Sequence, residues 1–320
     1  MSESIRIPEL SDIRAAAARI APYAIRTPVL TGRGRLDEVA GATLFFKCEN
    51  FQRVGAFKFR GAMNAVLSLS DAELGNGVAT HSSGNHAAAL ALAARLRNTH
   101  ATVVMPEGSA PVKIEAVRSY GADVRFCANN QAAREAALAQ VVRATGATFI
   151  HPYDNWRVIC GQGTAALELF EDVAHLDVVL APVGGGGLLS GCAIATKALS
   201  PTTRMVGAEP MGADDAFLSL QSGRIVPSID PQTIADGLRT ALGVRNFAVM
   251  QRHVDAIVTV SETAIVAAMR LLWSRLKIVV EPSAAVPLAA ILEHRLDVTG
   301  ARVGIILSGG NVDLDALPWR

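Results

Sequence analysis

The run Gly55-Ala56-Phe57-Lys58-Phe59-Arg60-Gly61-Ala62 sets one amine among apolar neighbours, after the strand-like segment TLFFKCE and before a helical pattern. A lysine at such a strand-to-helix turn stands at the carboxyl end of a strand, where open α/β sheets bind ligands and a catalytic amine can meet one. Taken alone it also fits a snorkelling surface lysine. Ser82-Ser83-Gly84-Asn85-His86 closes the segment GVATH and opens an Ala-rich helix from Ala87 to about Arg97. Polar side chains and exposed N–H groups gather there, which suits a carboxylate or phenolate oxygen; helix capping explains one such residue but not four around a glycine. Gly184-Gly185-Gly186-Gly187 lies between DVVLAPV and a helical stretch around residues 188–198. Consecutive glycines let backbone N–H groups converge on a phosphate, and the helix adds its positive end. Leu189 and Ser190 break the G-x-G-x-x-G spacing and Cys192 follows Gly191, so neither a dinucleotide nor a Walker loop is indicated. Leu307-Ser308-Gly309-Gly310-Asn311 closes the last strand-like run. Each loop alone reads equally as a glycine turn, but the four with a lysine point to one crevice.

Elements that would position these loops recur along the chain. TLFFKCE, GVATHSS, ATVVMPE, ADVRFCA, DVVLAPV, TRMVGAE, AIVTVSE and RVGIILS alternate with Ala-rich helical stretches, the pattern of a parallel α/β architecture. The runs are apolar throughout, as expected for strands covered on both faces. Residues 75–151 form a β-α-β-α-β-α unit, expected as a small domain inserted into a larger one of residues 1–74 and 152–320. Turn residues Leu74-Gly75-Asn76-Gly77 and His151-Pro152 mark the boundaries.

The chain has 320 residues, 50% hydrophobic and 18% charged, enough for two core-bearing domains. Thirty basic against 29 acidic side chains leave a net charge of +1, without the basic excess that nucleic acid requires. Cys48, Cys127, Cys160 and Cys192 form no C-x-x-C pair and read as buried thiols. The opening MSESIRIPEL lacks the apolar run of a secretory signal, so a cytoplasmic protein is expected. Residues 178–196 carry no charge, yet five glycines and Pro182 favour strand, loop and buried helix over a membrane span.

These motifs together resemble the fold-type II pyridoxal-phosphate enzymes, which are tryptophan synthase β-like. The branch is that of serine racemase and the serine/threonine and hydroxyaspartate dehydratases. The likeness runs through FFKCENFQ, GAFKFRGA, ATHSSGNHA, HPYDN, GQGTAALEL, APVGGGGLLSG, GAEPMGADD, TIADGL, VEPSAAV and LSGGNVDL, nearly the whole chain. It implies two α/β domains with mostly parallel sheets and pyridoxal 5'-phosphate between them. Lys58 is then the Schiff-base lysine and the base at Cα, Phe57 lies against the ring, Asn85 bonds the phenolic oxygen, and Gly184 to Gly187 bind the phosphate. Ser308 resembles the hydroxyl facing the pyridine nitrogen, a weaker electron sink than an Asp would give.

The implied reaction is loss of water and then ammonia from a 3-hydroxy amino acid. Ser82, Ser83, Gly84, Asn85, His86 and Arg134 are the implied substrate contacts. Ser83 matches the second-face residue of the racemases, so racemisation by Lys58 and Ser83 is the alternative. Glu209, the carbonyl of Ala213 and Asp215 match a divalent-cation loop, with oxygen donors suited to magnesium or calcium; a solvated loop with a capping Asp is the plainer reading. Arg134 reads either as a solvated helix residue or as a partner for a side-chain carboxylate. Glu281 and Asp236 read as structural acids. Relatives imply a homodimer, and the chain's end soon after LSGGNVDL implies a catabolic role without a regulatory extension.

Overall fold

The computed structural model describes residues 6–319; Met1 to Ile5, half of the stretch read for a leader, lie outside the described residues. Ten strands form two sheets: β1 Val29–Thr31, β2 Thr43–Cys48, β3 Val78–His81, β4 Ala101–Pro106, β5 Asp123–Cys127, β6 Thr148–Phe149, β7 Val178–Pro182, β8 Arg204–Pro210, β9 Ala256–Val260 and β10 Arg302–Leu307. One sheet runs β1-β2-β10-β7-β8-β9 and the other β5-β4-β3-β6. All pairings are parallel except β1 with β2. The chain is α/β, and residues 178–196 are a strand, a glycine turn and a buried helix. Among the described residues no helix is long and apolar enough to cross a membrane.

Central strands are apolar on both faces because two helical layers cover them. Along β10, Ile305 joins a core with Ala285 and Leu288 of the helix Pro282–Leu292, while Ile306 joins one with Ile159, Leu189 and Ala193 on the opposite side. Successive side chains point to opposite faces, so both must be apolar. β5 departs from this expectation. It is an edge strand whose Phe126 stays exposed beneath the Arg118 guanidinium, 5.9 Å from the ring centroid.

Three helices fix the distances within the cleft. Helix Trp156–Asp172 lies between helix Lys58–Leu67 and helix Gly187–Leu199. A Cβ on Gly161 would stand 2.6 Å from both the Arg60 carbonyl oxygen and the Gly61 Cα; one on Gly163 would stand 2.7 Å from the Gly191 oxygen. Backbone meets backbone at both contacts, which only glycine allows.

A buried ion network locks the same region. Arg60 donates Nε to Glu49 Oε2 at 2.7 Å and Nη1 to Glu168 Oε1 at 2.7 Å, and Nη2 reaches the second oxygen of each carboxylate. Lys47 Nζ donates to Glu168 and to the Thr27 carbonyl, both at 2.6 Å. Two cations thus face two carboxylates, and removing one partner from such a set typically costs about 3–5 kcal/mol. Four segments distant in sequence are pinned two residues from Lys58.

Candidate active site

The lysine loop and the last loop lie side by side. Phe57 N donates to the Ser308 carbonyl at 3.0 Å, Gly310 N to the Gly55 carbonyl at 2.9 Å, and Ala56 bridges to Gly309. Ser308 is buried at the end of β10. Lys58 opens its helix, and its Nζ donates to the Pro152 carbonyl at 3.0 Å, 5.1 Å from the Phe57 ring centroid and 5.9 Å from that of Tyr153. Desolvation holds this ammonium down to about 8, against the opposing charge of Glu281. Roughly a tenth of Lys58 is therefore free amine near pH 7, far more than an unperturbed lysine would offer.

Across the cleft, helix Asn85–Leu96 begins at the Ser82–Gly84 turn. The N–H groups of Ser83, Asn85 and His86 find no acceptor among the described residues, and Ser82 Oγ accepts from Gly84 N at 3.3 Å. His86 is buried, with Nε2 3.4 Å from the Ile150 carbonyl; desolvation holds it well below the usual imidazole range and hence neutral. Asn85 Nδ2 donates to both oxygens of Glu281 at 3.0 and 3.2 Å, and Asn85 Oδ1 accepts from Asn311 Nδ2 at 2.9 Å. Glu281, buried, is pushed up to about 7 by desolvation and by Asp236. Asp236 itself pairs with Lys113 at 2.5 Å, a second link between the four-stranded and six-stranded sides.

The glycine loop supplies the third wall. The N–H groups from Gly185 to Leu189 have no acceptor within the described residues, and Gly186 takes φ +95°, open to glycine. A Cβ at Gly185 would strike the Tyr153 ring at 2.5 Å. Five N–H groups without an acceptor among the described residues, at a helix start, suit an anion and would form a cradle for one. With a desolvated amine and two aromatic rings beside it, the arrangement fits an aromatic aldehyde that carries a phosphate.

The remaining expected residues lie to either side. Arg134, in helix Gln131–Thr145, donates Nη2 to Asn129 Oδ1 at 3.1 Å, while its Nε is buried without a partner. Its charge acts on His81, at the end of the strand that leads into Ser82. Glu209 and Asp215 are both buried. The Glu209 carboxylate accepts from Ala216 N and Phe217 N, and Asp215 Oδ2 accepts from Leu242 N at 2.9 Å. Asp215 Oδ1 is a buried acceptor with no partner, and no donor reaches the Ala213 carbonyl among the described residues. Desolvation pushes Asp215 to about 6 and Glu209 well above the carboxylate range. No group of three or more His, Cys, Asp or Glu suited to a metal occurs among the described residues, so a cation here would have two carboxylates and a carbonyl.

Residues 20–309 match the family described as pyridoxal-phosphate dependent enzyme, and the chain belongs to that family. It is 50% identical to the beta-hydroxyaspartate dehydratase of Paracoccus denitrificans, over 98% of this chain and 99% of that protein. It is 48% identical to the L-threo-3-hydroxyaspartate ammonia-lyase of Saccharomyces cerevisiae, over 96% and 94% of the two chains. The crystal structure of serine racemase from Dictyostelium discoideum superposes with a TM-score of 0.92 at 48% identity, over 96% of this chain and 99% of that one.

Glu281, Tyr153 and Asn311 emerge only in three dimensions, although HPYDN, VEPSAAV and LSGGNVDL already stand out in the chain. Glu281, read from the chain as a structural acid, holds the amide of Asn85. Its folded-state carboxyl lies near 7 against an ordinary 4.5, so its contribution to stability is complete below about pH 4.5 and is lost as pH rises through about 7. Glu281→Gln stays neutral throughout. Its apoprotein should match the wild-type Tm near pH 4.5 and exceed it by about 5 °C near pH 8. An offset independent of pH would show that burial does not perturb this carboxyl.

Proposed function

We propose that this protein is a dehydratase that converts a 3-hydroxy amino acid, foremost 3-hydroxyaspartate, to a 2-oxo acid and ammonia. The observation that carries this reading is the meeting of a desolvated, partly neutral amine with two turns rich in free N–H groups. Relatives named for hydroxyaspartate chemistry at 50% and 48% identity support it. Pyridoxal phosphate would lie between the unit of residues 75–151 and the rest of the chain, joined to Lys58, against Phe57, with its phosphate on Gly184 to Gly187. Asn85 and Ser308 would face its phenolic oxygen and ring nitrogen.

When bound, this group supplies an electron sink conjugated with the substrate amine, which acidifies the Cα–H bond. Lys58, as free amine, takes that proton. The turn from Ser82 to His86 holds the α-carboxylate on its N–H groups. Hydroxide departs from Cβ and with one proton leaves as water; the enamine released becomes an imine, and a second water hydrolyses it to the 2-oxo acid and ammonia. Ser83, whose hydroxyl has no hydrogen-bond partner among the described residues, is the second-face residue of the racemase alternative, and chiral analysis of unreacted serine measures that activity.

Arg134 is the proposed partner of a side-chain carboxylate, a bidentate contact that serine and threonine cannot make. Arg134→Ala should lower kcat/KM for 3-hydroxyaspartate by about 100-fold and for serine by less than about threefold. Equal losses on both substrates, or no wild-type turnover of 3-hydroxyaspartate, would reduce the assignment to a serine/threonine dehydratase.

We also place a magnesium or calcium ion on Glu209, Asp215 and the Ala213 carbonyl, supported by the unpartnered Asp215 Oδ1. Both carboxyls must ionise to bind it. Magnesium added to chelated protein should therefore raise Tm more near pH 8 than near pH 5, where Asp215, at about 6, holds its proton. No response at either pH would leave these acids as parts of the loop alone.

A further inference from the structure

Asn246 sits fully buried in helix Val244–His253, a segment outside every sequence motif of the cleft. Its Nδ2 donates to two carbonyls at once, Gly185 at 2.7 Å and Tyr153 at 3.2 Å. Gly243 N adds a second donor to the Gly185 carbonyl at 3.1 Å. The orientation of the amide follows from these contacts, because the flipped amide would set its oxygen against two carbonyl oxygens.

A trans peptide unit makes this consequential. The carbonyl of one residue and the N–H of the next point in opposite directions across a rigid plane. Two donors that pull the Gly185 carbonyl into the protein must therefore turn the Gly186 N–H the other way, toward the open side of the loop. The Gly186 carbonyl is tied likewise to Ser190 N at 2.9 Å, which fixes the next peptide. Asn246 also carries a cost: its Oδ1 is buried with no partner, a desolvation penalty that an apolar side chain of similar size would avoid. A residue present only for packing would not need this.

We propose that Asn246 is a positioning residue for the anion cradle, holding the Gly185 carbonyl inward so that the Gly186 N–H faces the phosphate. This rests on the assignment of Gly184 to Gly187 to the phosphate. The inference makes Asn246 specific for the phosphate end of the ligand. It should leave binding of the ring and aldehyde untouched.

The test compares two ligands, pyridoxal phosphate and pyridoxal without its phosphate, titrated by absorbance against apoprotein of the wild type, Asn246→Ala and Asn246→Asp. The Asp variant keeps the side-chain size and loses the two N–H donors, so it carries the comparison if the Ala variant does not fold. The expected result is a strong wild-type preference for the phosphorylated ligand that falls about tenfold in the variants, with the pyridoxal Kd changed less than about twofold. An unchanged preference would overturn the role of Asn246 while leaving the cradle in place. Parallel weakening of both ligands would make Asn246 a general structural residue and overturn it as well. A wild type that binds both ligands equally would overturn the cradle assignment and this inference with it.

Discussion

The backbone contacts of helix Trp156–Asp172 are the constraint on which the rest of the site depends. Gly161 meets Arg60 and Gly61 of the lysine helix, and two residues later Gly163 meets Gly191 of the helix that follows the glycine loop. An amine and an anion cradle on different parts of the chain are thereby set at one spacing through three helices in backbone contact. Any side chain at Gly161 or Gly163 would push two backbones apart, a displacement that close-packed interiors transmit rather than absorb. The Arg60 network secures the same junction against rotation, since the guanidinium binds two carboxylates, each through two oxygens.

On this rigid base the cleft is closed by few polar contacts. Asn85 reaches Glu281 and Asn311, and Lys113 reaches Asp236. Beneath these side-chain bonds, helix Asn85–Leu96 packs on the lysine helix, its Leu90 in one apolar core with Phe59, Met63 and Val66. The Asp215 bond to Leu242 N ties the acidic loop to the segment that packs on Gly184 and Gly186.

Much of this was legible in the chain. β2, β3, β4, β5 and β7 to β10 are apolar runs long enough to read, and the chemistry sits at their ends. β1 and β6, of three and two residues, carry no such run, and β1 pairs antiparallel. β5 reads as buried by composition, but its edge position exposes Phe126; a strand's neighbours are not written in its own residues. Glu281 is an isolated acid in sequence because its partner Asn85 lies 196 residues away. Asn246 gives no signal at all, since its work is done on the carbonyls of other segments.

The central claim is that Lys58, and no other lysine, carries the cofactor. Borohydride reduction of the protein with pyridoxal phosphate, followed by peptide mapping, fixes the group covalently where it is attached. Lys47, fully buried between Glu168 and Thr27, is an internal control that should remain unlabelled. The expected result is a single pyridoxyl modification on the peptide that contains Phe57-Lys58-Phe59. A label on Lys113, Lys197 or Lys277, or none on a protein that binds the cofactor, would contradict it.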